Sequence, residues 1–551
     1  MNKIKGYINE YLLLVIFASF MMAVFALFEI YFSNKDYFFF DGTEMIAFSA
    51  LAFAFMFCLL ALFLFVTYLC SEKTCAIVAA IGFGIAMALY IQGNFLKNDY
   101  GVLDGNQIKW EEYCLDGFIS VSMFILLIVV MIIVERKVER EKFLKIIRYG
   151  SIYIILIQLI TLTTLFISKN GLKKDDVYLS TTYGETEYSS DENFVILMLD
   201  TYESTTLTKI LNEDDSGIYH DCLEDFIYYP DTSGMYRSTV LALPHLFSGV
   251  EYHNDCTLEE YFTKTYEQSA LLQELQNKNW FIGIYNQNRI PNSEIATIAE
   301  NCKRTRLTVS SHRRLAEYMY KLVAYRYMPQ PLKRFFWFYA DDIETSLKES
   351  KDHYDIYCHN NFIFNDSLNT VSNNSDRKTF HFIELAGAHP PYDVTADFRM
   401  DAENASKIST GQGLLVMLEN YKNALKEKGA YDNTTIIVLG DHGKELLWNP
   451  VFMIKPANAR HKLIVDDTPF SYQTLQELYL EIISGAGEEG IRGIISTHKD
   501  MRRRYLRYES GDGKNEEDYF GSDIVECEVV GRADREGAII PTDIVYFEHR
   551  R

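Results

Sequence analysis

The sequence lacks a cysteine framework. Cys58, Cys70, Cys75 and Cys114 lie in or beside apolar runs, and Cys222, Cys256, Cys302, Cys358 and Cys527 are scattered through the more polar remainder. No C-x-x-C pair and no zinc-ribbon spacing occurs, which excludes a disulfide-stapled scaffold and a thiolate zinc module. One bridge between Cys222 and Cys256 and a set of unpaired thiols are both open readings. Positive charge is also scarce: 53 Lys and Arg stand against 75 Asp and Glu, a net charge of -22. That balance excludes a nucleic-acid partner, because a phosphate backbone demands a basic surface. The acidic surplus suits solubility, or a domain that holds divalent cations. Internal repeats and low-complexity tracts are missing as well.

Long apolar runs are plentiful, and they are confined to the first third of the chain. Five stretches, at 10–32, 45–69, 75–95, 117–134 and 148–168, reach the roughly 20 apolar residues that a helix needs to cross a hydrocarbon core. The first run is too long for a cleavable signal peptide, and four more follow it. Lys3 and Lys5 precede the first span, Lys73 sits in the second loop, and Arg136, Lys137, Arg140, Lys142, Lys145 and Arg148 crowd the fourth. The loops at 33–43 and 96–116 are acidic and aromatic instead. With basic loops inside, the N-terminus is expected in the cytoplasm and everything after about residue 170 outside the cytoplasmic membrane.

At 551 residues the chain has room for two or three folded units. The expected division is a five-helix transmembrane domain at 1–168, a polar linker at 169–190, a catalytic domain at 191–498 and a β-rich subdomain at 499–551. Short β-rich runs open the soluble part at NFVILMLD and recur at 280–285, 380–385, 434–439 and 451–454. Amphipathic patterns such as 269–278 and 411–428 separate them. This alternation predicts an α/β domain around a mostly parallel sheet covered on both faces. Ligands in such folds sit beyond the carboxyl ends of the strands.

Chemistry-bearing residues cluster there. Asp200 closes the first run, His389 follows FHFIEL in AGAHPPY, and Asp441 and His442 follow TTIIVL in GDHGKE. Thr239 stands in YRSTVLALPHLFSG, where a hydroxyl-rich turn enters an apolar helix. Singly, each residue is weak: an Asp at a strand end is ordinarily a cap or turn former, and a Thr before a helix is ordinarily an N-cap. Together, two carboxylates, an imidazole and a hydroxyl make an oxygen-rich set for a divalent ion.

In this order the strings resemble the sulfatase-like branch of the alkaline phosphatase superfamily. The layout is similar to that of the lipoteichoic acid synthases and phosphoethanolamine transferases, which join five spans to an extracytoplasmic catalytic domain. The resemblance implies Asp200, Thr239, Asp441 and His442 as metal ligands, Thr239 as nucleophile, and His389 as a substrate contact that protonates the leaving group or binds a phosphoryl oxygen. It also implies one divalent ion (Zn²⁺, Mn²⁺ or Mg²⁺), a membrane phospholipid as donor, and an envelope glycan or lipid as acceptor of a phosphoglycerol- or phosphoethanolamine-type group. A hydrolase of the same fold and a non-catalytic envelope-polymer binder are the alternatives.

Several departures narrow this. The C/S-x-P-x-R string of true sulfatases is replaced by STVLALP, which removes formylglycine chemistry. The first ligand is Asp rather than the Glu common among the membrane transferases. Met235 and His245 stand where phosphoethanolamine transferases often carry cysteine, and Glu384 stands where they carry a histidine. The chain runs from GKELLWN into PVFMIKP without their second-zinc histidine. These favour a one-metal site. Two other stretches carry less. Residues 311–372 include MPQPLKRFFWFYADDI, read either as a headgroup-docking surface or as a buried aromatic anchor, and the tail alternates as a small antiparallel sheet would.

Overall fold

Long apolar runs fold as helices because a helix satisfies its own backbone hydrogen bonds, and the computed structural model has five such helices among the described residues. They run Glu10–Ser33, Gly42–Cys70, Glu72–Phe95, Trp110–Lys137 and Arg140–Ser168, each long and apolar enough to cross a membrane. The structure describes residues 2–96, 100, 108–286, 292–338, 343, 346–443, 449–508 and 523–547. Residues 444–448 of GKELLWN, parts of the 311–372 stretch and much of the C-terminal tail lie outside them.

The chain divides into two compact units that interleave in sequence: residues 1–176 with 306–353, and residues 177–305 with 354–551. In the first unit, the helix His312–Tyr327 buries Leu315, Met319, Val323 and Tyr327. Arg326 pairs with Glu29 at 2.7 Å, and the Tyr320 hydroxyl donates to the Ala23 carbonyl at 3.1 Å. Glu29 lies within the first span, where an ionisable group persists only with a partner. For this helix the anchor reading is the one realised. Beyond it, Leu332 and Phe335 are exposed.

The second unit is built on a seven-stranded sheet. Its strands are β1 (Asn193–Leu199), β2 (Ile227–Tyr228), β3 (Phe281–Tyr285), β4 (Thr379–Leu385), β5 (Thr434–Leu439), β6 (Phe452–Lys455) and β7 (Ile464–Val465). Their spatial order is β7-β2-β6-β5-β1-β4-β3, with only β6 reversed. β1 is buried along its whole length, and its alternation sorts side chains to two cores. Phe194, Ile196 and Met198 join one cluster; Val195, Leu197 and Leu199 join the other. Burial on both faces is why such strands read as continuous apolar runs.

The helices that cover the two faces include α1 (Ser204–Asn212), α2 (Thr239–Ser248), α3 (Ala270–Asn277), α4 (Lys407–Glu427) and α5 (Leu475–Ile483). Side chains of α2, α3 and α5 pack into the Met198 face, and those of α1 and α4 into the Leu199 face. A three-stranded antiparallel sheet, β8 (Arg504–Tyr508), β9 (Ile524–Val529) and β10 (Ile539–Tyr546), ends the chain. All nine cysteines are free, so the Cys222–Cys256 bridge is not formed. Cys222 is held in the Leu199-face core, whereas Cys256 packs against the opposite one.

Candidate metal centre

Each side chain of the centre is placed by a strand end or a helix start. Asp200 follows β1 directly, and its N–H donates to the Leu385 carbonyl of β4 at 3.2 Å. Asp441 and His442 follow β5 through Gly440, where no other residue fits. A Cβ at Gly440 would stand 2.4 Å from the Tyr202 carbonyl oxygen. That closeness brings the two strand ends together.

Thr201 is the strained link. Its φ is +53°, a region that β-branched residues occupy at roughly 1–3 kcal/mol. The turn aims the Thr201 N–H at Asp441 Oδ1, 3.1 Å away. Asp441 is fully buried, and its Oδ2 accepts no hydrogen bond among the described residues. His442 Nδ1 lies 3.1 Å from the Gly443 carbonyl. Donation there leaves the Nε2 lone pair free. That lone pair faces Asp441 Oδ2 at 3.4 Å and Thr239 Oγ1 at 3.2 Å.

Thr239 is the first residue of α2, and Ser238, in the N-cap position, makes no side-chain cap. The Thr239 hydroxyl faces His442 Nε2. Leu241, Leu243, Leu246 and Phe247 are buried and hold α2 against the sheet, each contributing about 1.5–3 kcal/mol. The nucleophile candidate rides on a rigid element.

One ligand atom each from Asp200, Asp441 and His442 lies within 4.8 Å of the others. Two donors that share an ion at about 2 Å can stand at most roughly 4 Å apart, so small rotations suffice. A buried carboxylate oxygen without a hydrogen bond, converging with an imidazole lone pair, is an arrangement that a divalent cation satisfies. The residues fit the ion.

Of the five residues singled out in the sequence, Asp200, Asp441 and His442 converge and Thr239 joins them through His442. His389 is not among the converging ligands: it is exposed, on the loop after β4. That loop is nevertheless tied to the centre, since the Ala388 N–H donates to the Asp200 carbonyl at 2.9 Å. At Gly387, φ is +58° and a Cβ would meet the Asp200 nitrogen at 2.4 Å. Asn361 clasps the same glycine twice, donating to its carbonyl at 3.0 Å and accepting from its N–H at 3.0 Å.

Thr201 and Asn361 are the functional neighbours that sequence reasoning missed. No local signal marks a left-handed threonine, and Asn361 sits in a string, HNNF, that reads as an ordinary helix start. Met235 and His245 are core residues: His245 packs its ring 5.8 Å from that of Tyr236, and burial pulls its pKa down to about 4.

No family model matches the chain, and no curated protein matches it. Solved structures do. A protein in the alkaline phosphatase superfamily from Vibrio parahaemolyticus is 11% identical over 67% of this chain and 85% of its own, with a TM-score of 0.37. The C-terminal periplasmic domain of EcEptC from Escherichia coli is 11% identical over 67% of this chain and 97% of its own, with a TM-score of 0.34. The integral membrane lipooligosaccharide phosphoethanolamine transferase A (EptA) from Neisseria meningitidis is 11% identical over 85% of this chain and 94% of its own, with a TM-score of 0.29.

Proposed function

We propose that this chain is a membrane-anchored, divalent-metal-dependent phosphotransferase that uses Thr239 as its nucleophile. The observation that carries the reading is the 3.2 Å contact between Thr239 Oγ1 and His442 Nε2, because His442 is itself one of the three converging ligands. Asp200, Asp441 and His442 would hold the ion, with Thr239 beside them. Such an ion, when bound, lowers the pKa of a neighbouring hydroxyl so that its proton passes to solvent, and it offsets charge on phosphoryl oxygens.

The remaining work falls to the protein. Thr239 Oγ1 forms a new P–O bond to the donor phosphodiester, in line with the diacylglycerol oxygen whose P–O bond breaks. His389, on its solvent-facing loop, protonates that departing oxygen or steadies a phosphoryl oxygen. A hydroxyl of the acceptor then attacks phospho-Thr239 and restores the threonine. The helix start fixes Thr239, and Asn361 fixes the His389 loop, so positioning is achieved before substrate arrives.

The donor in this reading is a membrane phospholipid and the acceptor an envelope glycan or lipid. In this reading the N-terminus is cytoplasmic and the second unit outside, which the basic residues of the loop between the fourth and fifth spans support. Purified full-length protein incubated with head-group-labelled phospholipid and Mn²⁺ or Zn²⁺ tests the proposal. Diacylglycerol release that rises with added acceptor is expected, and T239A should lose it by about a thousandfold or more. Release of free head group at the same rate without acceptor would make the chain a hydrolase. Full turnover by T239A would overturn the nucleophile.

A further inference from the structure

The first three spans enclose a cavity of about 290 Å³, and every residue that lines it is apolar. On the first two spans the lining runs from the middle toward the end marked by Glu10 and Cys70; on the third it straddles the middle. The space is about twice that of an apolar cavity of roughly 150 Å³ that stays dry and takes up benzene. Ties between the spans hold it open. The Tyr7 hydroxyl donates to the Ala61 carbonyl at 2.8 Å, and the Cys75 thiol donates to the Leu64 carbonyl at 3.5 Å. Nearer the other end, the Ser49 hydroxyl donates to the Ala23 carbonyl at 2.8 Å. Tyr11 stands one turn before Val15 and Tyr68 one turn after Leu64, and their rings pack 6.1 Å apart as a floor. The wall is open at its side, where the lining residues Phe63 and Ile85 are 56% and 39% exposed.

Gly82 lines the cavity. A glycine inside a helix costs stability relative to alanine, and within a membrane it is ordinarily kept where another backbone comes close. Gly84 fits that account, since a Cβ there would stand 3.0 Å from the Ile128 Cα of the fourth span. Gly82 does not: a Cβ there would meet nothing within 4 Å. Its missing side chain leaves space that no described residue fills. Across the cavity, Met21 opens a π-helical turn that runs to Phe25, a local widening found most often at functional positions. Met21, Met22 and Met56 all face the space, and their flexible thioethers adapt to a partner of irregular shape.

We infer that this cavity is a lipid site, taking one acyl chain of a membrane phospholipid between Phe63 and Ile85, with Gly82 keeping the space open. An empty cavity forfeits dispersion contacts along all its walls, and water gains nothing where no polar group meets it. The hydrocarbon at the side opening supplies the filling. An acyl chain is slender, flexible and without a polar atom beyond its ester, so it bends into the bundle while its head group stays at the interface. In the orientation proposed above, the cavity reaches from the midplane into the cytoplasmic half of the bilayer. Its occupant is then a lipid distinct from the phosphodonor, and the site stands whether or not the phosphotransfer reading does.

Two measurements on the full chain test this. In the first, the protein is reconstituted in phosphatidylglycerol vesicles that carry a phosphatidylcholine with a diazirine midway along one acyl chain. After irradiation, adducts are mapped by peptide mass spectrometry. Adducts are expected on Met21, Leu64 and Ala86, which line the cavity and are buried, besides those on the exposed Phe55 and Leu59. G82L should cut the buried adducts by about fivefold or more and leave the exposed ones within about twofold, because the added side chain occupies the same space. Wild-type adducts confined to exposed residues overturn the inference, whatever the variant does; so do buried adducts that G82L leaves unchanged. In the second, thermal unfolding is followed in detergent with and without added phosphatidylcholine. The wild type should gain several degrees from the lipid, as a ligand of the folded state gives. G82L should start higher and gain little. An equal gain by both proteins would place the stabilising lipid elsewhere and overturn the inference.

Discussion

The two carboxylate oxygens of Asp441 are treated differently by their surroundings. Oδ1 accepts the Thr201 N–H, while Oδ2 is buried and accepts no hydrogen bond among the described residues. Such an oxygen is costly unless a cation meets it. D441N should therefore leave the metal-free protein as stable as wild type or raise its Tm, and should abolish the rise in Tm that Mn²⁺ or Zn²⁺ gives the wild type. Metal content measured by inductively coupled plasma mass spectrometry should fall accordingly. A variant that still binds metal and still gains stability would remove Asp441 from the ligand set. The ligand types were legible at residue scale, since Asp200, Asp441 and His442 follow apolar runs. Thr201 was not legible, because its φ is set by contacts between strand ends that no local string encodes.

Elements carry the next set of consequences. The strands β1, β4 and β5 were readable as apolar runs because both of their faces are covered. The reversal of β6 was not, since direction depends on how the chain returns and not on composition. Gly440 joins β5 to the centre, and G440A would force a methyl to 2.4 Å from the Tyr202 carbonyl oxygen. A loss of about 2–4 kcal/mol in denaturant melts is expected, together with loss of metal binding.

His381, in the middle of β4, is fully buried with both ring nitrogens lacking hydrogen bonds among the described residues. It lies among the rings of Tyr188, Phe281 and Tyr285. Burial pulls its pKa down from 6.5 to about 3. Below 6.5 the unfolded chain binds the proton more readily than the folded one, so the stability present above 6.5 is lost progressively as pH falls toward 3. H381F removes this titration, and its stability should fall less steeply than that of wild type between pH 6.5 and 4. Equal slopes in urea titrations across that window would contradict the assignment.

At the scale of the molecule, the five apolar helices were evident from length and hydropathy alone. The assignment of residues 306–353 to the helical unit was not: their mix of basic and aromatic side chains suits a membrane surface and a protein interior alike, and packing decided between them. R326A leaves Glu29, only 8% exposed in the first span, without its cationic partner and should destabilise the helical unit by about 3–5 kcal/mol. E29Q should restore part of that loss, measured by thermal unfolding in detergent.

The central claim is that Thr239 becomes covalently phosphorylated at a site built by Asp200, Asp441 and His442. The most direct measurement traps the full-length protein with donor phospholipid, metal and no acceptor, and maps phosphorylation by peptide mass spectrometry. A phosphodiester-linked head group on Thr239, absent from D441N and from metal-stripped protein, is the expected result; a modified peptide elsewhere, or turnover with Thr239 unmodified throughout, would contradict it.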